Sequence, residues 1–149
     1  MKRIIALAAA LLAIAMPLTS CGSSDGYKDG SYRAEAKAAD DHGWKPYLVV
    51  TVEDGAVAEV EFDYDNGEGL KKSEDEDYKT SMLQFGGSTY PAEFTQKIEE
   101  AYLSAQKGAD VDTVAGATTS TDDFKKLAAE LEKSMAKGKK DIVVVDLTK

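Results

Sequence analysis

The chain has 149 residues, 27 acidic against 18 basic, and a formal charge of −9. That length bounds it to one small domain, and a balance this acidic is unsuited to nucleic acid or to an electrostatic hold on anionic lipid. One cysteine and one histidine leave no intrachain disulfide, no histidine-rich metal site and no Cys-x-x-Cys-His haem attachment.

Lys2 and Arg3 precede an almost wholly apolar run from Ile4 to Leu18. The run is shorter than the roughly 20 residues of a membrane span and is followed by small polar residues, so residues 1–20 read as a secretory signal. Its end, Leu18-Thr19-Ser20-Cys21 with Gly22 following, resembles the lipobox of bacterial lipoproteins. That resemblance implies cleavage before Cys21, a diacylglycerol on its thiol, and a protein held by lipid on the extracytoplasmic face of the bacterial cell membrane. Two acyl chains suffice for stable anchoring. From Cys21 onward 16 basic residues face 27 acidic ones, a charge of −11. Residues 21–30 are expected to be the lipidated cysteine and a tether, flexible over GSSDG, and residues 31–149 the folded domain.

Ser31 to Ala38 alternates, with Tyr32, Ala34, Ala36 and Ala38 on one side and Arg33, Glu35 and Lys37 on the other, as a half-buried strand does. Two β-rich runs, Tyr47–Glu53 and Ala56–Tyr64, flank Asp54-Gly55. This dipeptide favours a tight hairpin because both residues tolerate positive φ. Val50, Val52, Val57, Val60 and Phe62 then share a core. Asn66 to Asp77 is a polar loop leading to a short helix near Glu74–Phe85. Asp63-x-Asp65-x-Gly67 lacks the closing glutamate of a calcium loop. Pro91 suits the first turn of a helix running to about Gln106, with Phe94, Ile98 and Tyr102 on one stripe. Ser120-Thr121-Asp122-Asp123 reads as a capping-box-like start to a third helix carrying Phe124, Leu127, Ala128, Leu131 and Met135 and stopping at Gly138. Asp141–Leu147 is a last β-rich run. The order predicts an α+β fold: a single small domain with a mainly antiparallel sheet and about three helices packed on one face.

Chemistry concentrates in DTVAGATTSTDDF, residues 112–124. Gly116 and Ala117 carry nothing that would block access to the Thr118 hydroxyl. Thr119, Ser120 and Thr121 supply further hydroxyls, and the helix behind offers unpaired N–H groups and a positive dipole end to an anion. A tight turn with an ordinary Ser or Thr cap accounts for the same residues structurally. Elsewhere a Ser-His-Asp hydrolase would need His42, which lies in a polar loop with no Gly-x-Ser-x-Gly partner in the chain. Trp44, beside it, is a candidate for stacking on a planar ring, although an aromatic flanking a strand is more often core.

Asp112-Thr113-Val114-Ala115-Gly116-Ala117-Thr118 resembles the flavinylation motif of the FMN-binding domain family. YKDGSYRAEA, HGWKPYLVVTVEDGAVAEVEF, Asp75–Tyr78 and the segment from Asp112 to Leu131 are similar to the domains of Gram-positive flavolipoproteins in that family. Its members also include the C subunit of sodium-pumping NADH:quinone reductases and the G subunit of Rnf complexes. The resemblance implies FMN joined through its phosphate to Thr118 by a flavin transferase of the ApbE type, with Asp112, Ala115, Gly116, Ala117, Thr119 and Ser120 around it. It implies an electron carrier served by a quinone-linked or NADH-linked membrane donor, not a stand-alone enzyme. The family usually has Ser or Thr where this chain has Ala115; the change is mild where that hydroxyl serves only backbone geometry, whereas a transferase that reads it would load this chain slowly or not at all. Two other functions fit the same residues. One is a module that binds FMN non-covalently or senses flavin without carrying electrons, and the other is a structural or solute-capturing lipoprotein with a decayed motif.

Overall fold

A computed structural model describes residues 26–148. The signal segment and Cys21 lie outside the described residues. Four strands form one sheet in the order β3-β2-β1-β4: β1 Gly30–Ala36, β2 Lys45–Glu53, β3 Ala56–Asp65 and β4 Val143–Val145. The helices are α1 Glu76–Gln84, α2 Pro91–Ala105 and α3 Thr118–Lys137. β1 and β3 run antiparallel to β2, while β4 runs parallel to β1. The architecture is therefore the expected α+β domain with a mostly antiparallel sheet.

The β2–β3 hairpin turns through Asp54 and Gly55 at φ 52° and 79°, the pair of left-handed residues a type I′ turn demands. Strict alternation cannot put both Val57 and Val60 inward, because they are three apart. A bulge opposite Thr51 and Val52 resolves this by shifting the register, so Val57 faces Val52 and Val60 faces Val50. Leu48, Val50, Val52 and Phe62 are buried beneath the helices. β1 ends at Ala36, two residues before the expected limit, and Ala38 is exposed.

α3 crosses β1 and β2 with Phe124, Leu127, Ala128, Leu131 and Met135 buried, one stripe at helical spacing. Phe124 joins Phe62 and Tyr102 edge-on, with ring centroids 5.4 and 5.2 Å apart. α2 seals the outer edge of β3 with side chains in place of a fifth strand. Glu99 Oε1 accepts the Phe62 N–H at 2.8 Å, and Gln106 bonds both the N–H and the C=O of Val57 at 2.7 and 3.0 Å. Pairing an edge in this way removes a template for aggregation. Gln106 itself takes a left-handed conformation, φ 63°, and its bonds to β3 offset that cost of about 1–2 kcal/mol.

α1 buries no residue; it lies outside the core, against the 3-10 turn Lys72–Glu74. Tyr27 and Lys28 are already fastened to the domain, through Tyr27 N–H to the Gly55 carbonyl at 3.1 Å and Lys28 N–H to the Met135 carbonyl at 2.9 Å.

Candidate functional site

The motif folds as a turn feeding directly into a helix. Val111 is buried and anchors the segment, after which Asp112 and Thr113 are exposed. The Ala117 N–H closes a turn on the Val114 carbonyl at 2.9 Å. Gly116 stands at its third position with φ 79°, and Ala115 is not among the residues with positive φ; this is the type II pattern, which calls for glycine there. A β-carbon on Gly116 would also run into the Ser88 hydroxyl and the Thr89 methyl. Glycine is therefore required twice, by conformation and by the close approach of the Ser88–Thr89 loop.

The third helix begins at Thr118, three residues before the expected Thr121 start. The capping-box reading of Ser120–Asp123 is overturned. The N-cap position falls on Ala117, which offers no side-chain acceptor, and the first helical bond is Thr121 N–H to the Ala117 carbonyl, 2.9 Å. The Thr121 hydroxyl is wholly buried and is used internally. It accepts the Val114 N–H at 3.1 Å and donates to the Ala117 carbonyl at 2.9 Å. Thr121 thus latches the turn to the helix instead of presenting a donor to the site.

The consequence is an open first turn. The amides of Thr118, Thr119 and Ser120 have no acceptor among the described residues, and the Thr118 and Thr119 side chains are exposed. These are the unfilled donors of a helix N-terminus, with its positive dipole end. They line a cavity of about 330 Å³ whose other walls are Lys72, Tyr78, Met82, Phe94, Gly116 and Ala117. A second cleft, about 520 Å³, opens on the other side of Thr119, between Ala38, Ala39, Pro46, Tyr64 and Leu147. Asp40, Asp123 and Asp146 also line it, with Lys37. Asp123 accepts a bond from the Tyr64 hydroxyl at 3.3 Å; burial raises its carboxyl above the usual range and raises the Tyr64 phenol as well.

The structure brings Ala115 through Ser120 together around the Thr118 hydroxyl. Asp112 is exposed two residues ahead of the turn, and its carboxylate accepts no hydrogen bond among the described residues. Trp44 is 6 % exposed and belongs to the core, edge-on to Tyr78 at 6.1 Å. It stands behind Lys72 and does not line either cavity. Lys72 itself gives no sequence signal, since it sits in a polar stretch next to another lysine. Its placement comes from β3. Glu61 pairs with Lys71 at 2.7 Å, and Asp63 accepts both the N–H and the hydroxyl of Ser73, which leaves the intervening Lys72 turned inward.

These residues fit a phosphate-bearing group: an exposed hydroxyl, three free amides and an inward cation converge on one cavity, and Gly116 keeps its rim clear. Comparison with known proteins agrees. A family model for an FMN-binding domain matches residues 42–131. A 15 kDa lipoprotein of Treponema pallidum (strain Nichols) is 34 % identical over 133 residues, 89 % of this chain and 93 % of that protein. The crystal structure of a Clostridium perfringens protein superposes with a TM-score of 0.76 at 39 % identity, covering 80 % of this chain and 98 % of that one. The solution structure of a Clostridium thermocellum protein superposes with a TM-score of 0.50 at 25 % identity, covering 72 % and 91 %. With its motif turn, its open helix start and most of its described length inside that match, this chain belongs to the FMN-binding domain family.

Proposed function

We propose that this protein is a lipid-anchored, extracytoplasmic flavoprotein that carries electrons through FMN esterified to Thr118. The observation that carries the reading is the exposed Thr118 hydroxyl at the first position of a helix whose leading amides lack acceptors. That arrangement leaves room for a transferase to approach and seats a phosphate at the dipole's positive end. Ester formation from a flavin dinucleotide balances simply. The Thr118 Oγ–P bond replaces the anhydride P–O bond, and a nucleoside monophosphate leaves while the hydroxyl proton passes to a base on the transferase. The bound flavin supplies the redox chemistry, and the protein supplies tether, orientation and electrostatics. Ala115 is exposed at the second corner of the turn, and the turn closes through Val114, Ala117 and Thr121 without a hydroxyl there.

The lipobox-like Leu18–Cys21, together with the name of the Treponema relative, supports anchoring through Cys21. A covalent bond suits a cofactor working outside the cytoplasm, where a dissociated one is lost by diffusion. The test is the intact mass of the protein after co-expression with a flavin transferase, for wild type and Thr118→Val. One FMN on the wild type and none on the variant is expected. An unmodified wild type, or an adduct that survives in Thr118→Val, overturns the attachment site. A denaturing gel viewed under ultraviolet light separates covalent from non-covalent binding, because only covalent flavin keeps the band fluorescent.

A further inference from the structure

Lys72 is 7 % exposed, and its ammonium makes no ion pair and no hydrogen bond among the described residues. Its neighbour Lys71 shows the contrast, with the Glu61 carboxylate at 2.7 Å. Its nitrogen keeps a little solvent contact, because no wholly buried side-chain nitrogen among the described residues lacks a partner, but a cation this far desolvated without a counter-ion is still costly. Three aromatic rings recover part of that cost: Tyr78 at 4.5 Å, Tyr64 at 4.6 Å and Trp44 at 5.8 Å from Nζ to centroid. Ring quadrupoles attract a cation but do not replace a counter-ion, and Lys72 and Tyr78 both line the Thr118 cavity.

Among the described residues, Lys72 is the only charged one lining that cavity. The opposite wall is the first turn of α3, with its free amides. The adjoining cleft is the electrostatic reverse, with Asp40, Asp123 and Asp146 against Lys37. An anion fixed to Thr118 Oγ therefore meets an unpaired cation and three N–H groups on one side and carboxylates on the other. In a chain with 27 acidic residues, this is a locally built exception.

We propose that Lys72 is the positioning residue for the cofactor's phosphate: its ammonium, held in the Tyr64–Tyr78–Trp44 cage, pairs with the phosphodiester monoanion at Thr118 and directs it into the Lys72 cavity. This rests on Thr118 as the attachment site. The experiment uses the full chain co-expressed with a flavin transferase, as wild type, Lys72→Met, Lys72→Arg and Thr118→Val. Loading rate is followed by intact mass, and the phosphorus NMR resonance is recorded on loaded protein. Methionine fills the cage and keeps a favourable sulfur–aromatic contact, so that variant tests charge, not packing. Loss of a charge-assisted bond slows loading by roughly ten- to a hundredfold. The resonance of the fraction that does load moves from its wild-type position, and Lys72→Arg restores most of both. Should Lys72→Met not fold, Lys72→Leu serves in its place. Lys72→Met that loads at the wild-type rate with an unshifted resonance reduces Lys72 to a packing residue and overturns the proposal while leaving Thr118 in place. A wild type that gains no FMN removes the attachment reading itself.

Discussion

Replacing Thr121 with valine removes one oxygen and leaves the side-chain shape nearly unchanged, so the latch between the motif turn and α3 can be tested apart from packing. The Thr121 hydroxyl accepts the Val114 N–H at 3.1 Å and donates to the Ala117 carbonyl at 2.9 Å. The Ala117 carbonyl keeps the backbone N–H of Thr121 as a donor, at 2.9 Å, and stays satisfied in the variant. The Val114 N–H does not, and Val114 is half-buried, so water reaches it only in part. An orphaned amide costs about 1–3 kcal/mol, and partial exposure places this one near the lower end, about 1–2 kcal/mol. For a domain of this size that lowers the melting temperature by roughly 3–8 °C. Thr121→Ser is the matched control: it keeps the oxygen and loses a buried methyl, at about 1 kcal/mol. Calorimetry should find the two variants comparably destabilised, while transferase loading of Thr118 falls several-fold in Thr121→Val and stays near wild type in Thr121→Ser. A Thr121→Val protein that melts with the wild type, or a serine variant that loads more slowly than the valine one, refutes the latch.

Gly116→Ala should cost about 2–4 kcal/mol in urea unfolding, because it places a side chain at positive φ and drives it into the Ser88–Thr89 loop; a loss below about 1 kcal/mol would show that the loop gives way freely. Glu99→Gln keeps the acceptor for the Phe62 N–H and removes a carboxyl whose pKa burial raises. A raised acid stabilises the fold most below its unfolded pKa, about 4, and that contribution is lost as pH rises through the folded value. The glutamine variant should therefore melt above wild type at neutral pH and converge with it toward pH 4; a constant offset across that range would reject the assignment. The acidic surface should disfavour the anionic reduced flavin, so the flavin potential at low salt should lie below its value at high salt, where screening weakens the field. A redox titration without salt dependence counts against this.

What could be read from the chain followed from local rules. The Asp54-Gly55 turn, Pro91 at the start of α2, Gly138 at the end of α3 and the stripe from Phe124 to Met135 each depend on a few neighbouring residues, and each stands where the residues put it. The helix start at Thr118 did not follow. Ser120 and Thr121 carry the chemistry of a cap, yet the buried Thr121 hydroxyl is taken by Val114 and Ala117, and the turn ahead of it, set by Gly116, begins the helix earlier. Lys72 was invisible for a different reason. Its inward direction is decided by Glu61 and Asp63 holding its two neighbours from a strand ten residues away, and its cage is assembled from β2's approach, β3 and α1. A tertiary arrangement of that kind leaves no periodicity to read.

The placement of the site bears on how the protein would work. At the C-terminal end of α3, Lys28 bonds the Met135 carbonyl, so the chain arrives from Cys21 at that end of the helix. Thr118 is at the other end of this 20-residue helix, which is about 30 Å long. The stretch from Cys21 to Gly26 reaches at most about 18 Å when fully extended. Were Cys21 lipidated as proposed, the domain would stand with Thr118 roughly a domain's length from the end nearest the membrane. A partner confined to the bilayer surface would meet the hairpin turn, not Thr118, unless the tether lets the domain tip over. A transferase, or an electron partner that projects from the membrane or moves freely outside it, meets Thr118 directly. The acidic cleft and the Lys72 cavity adjoin at Thr119, so in that arrangement a partner approaching a flavin on Thr118 would do so from the side away from the lipid.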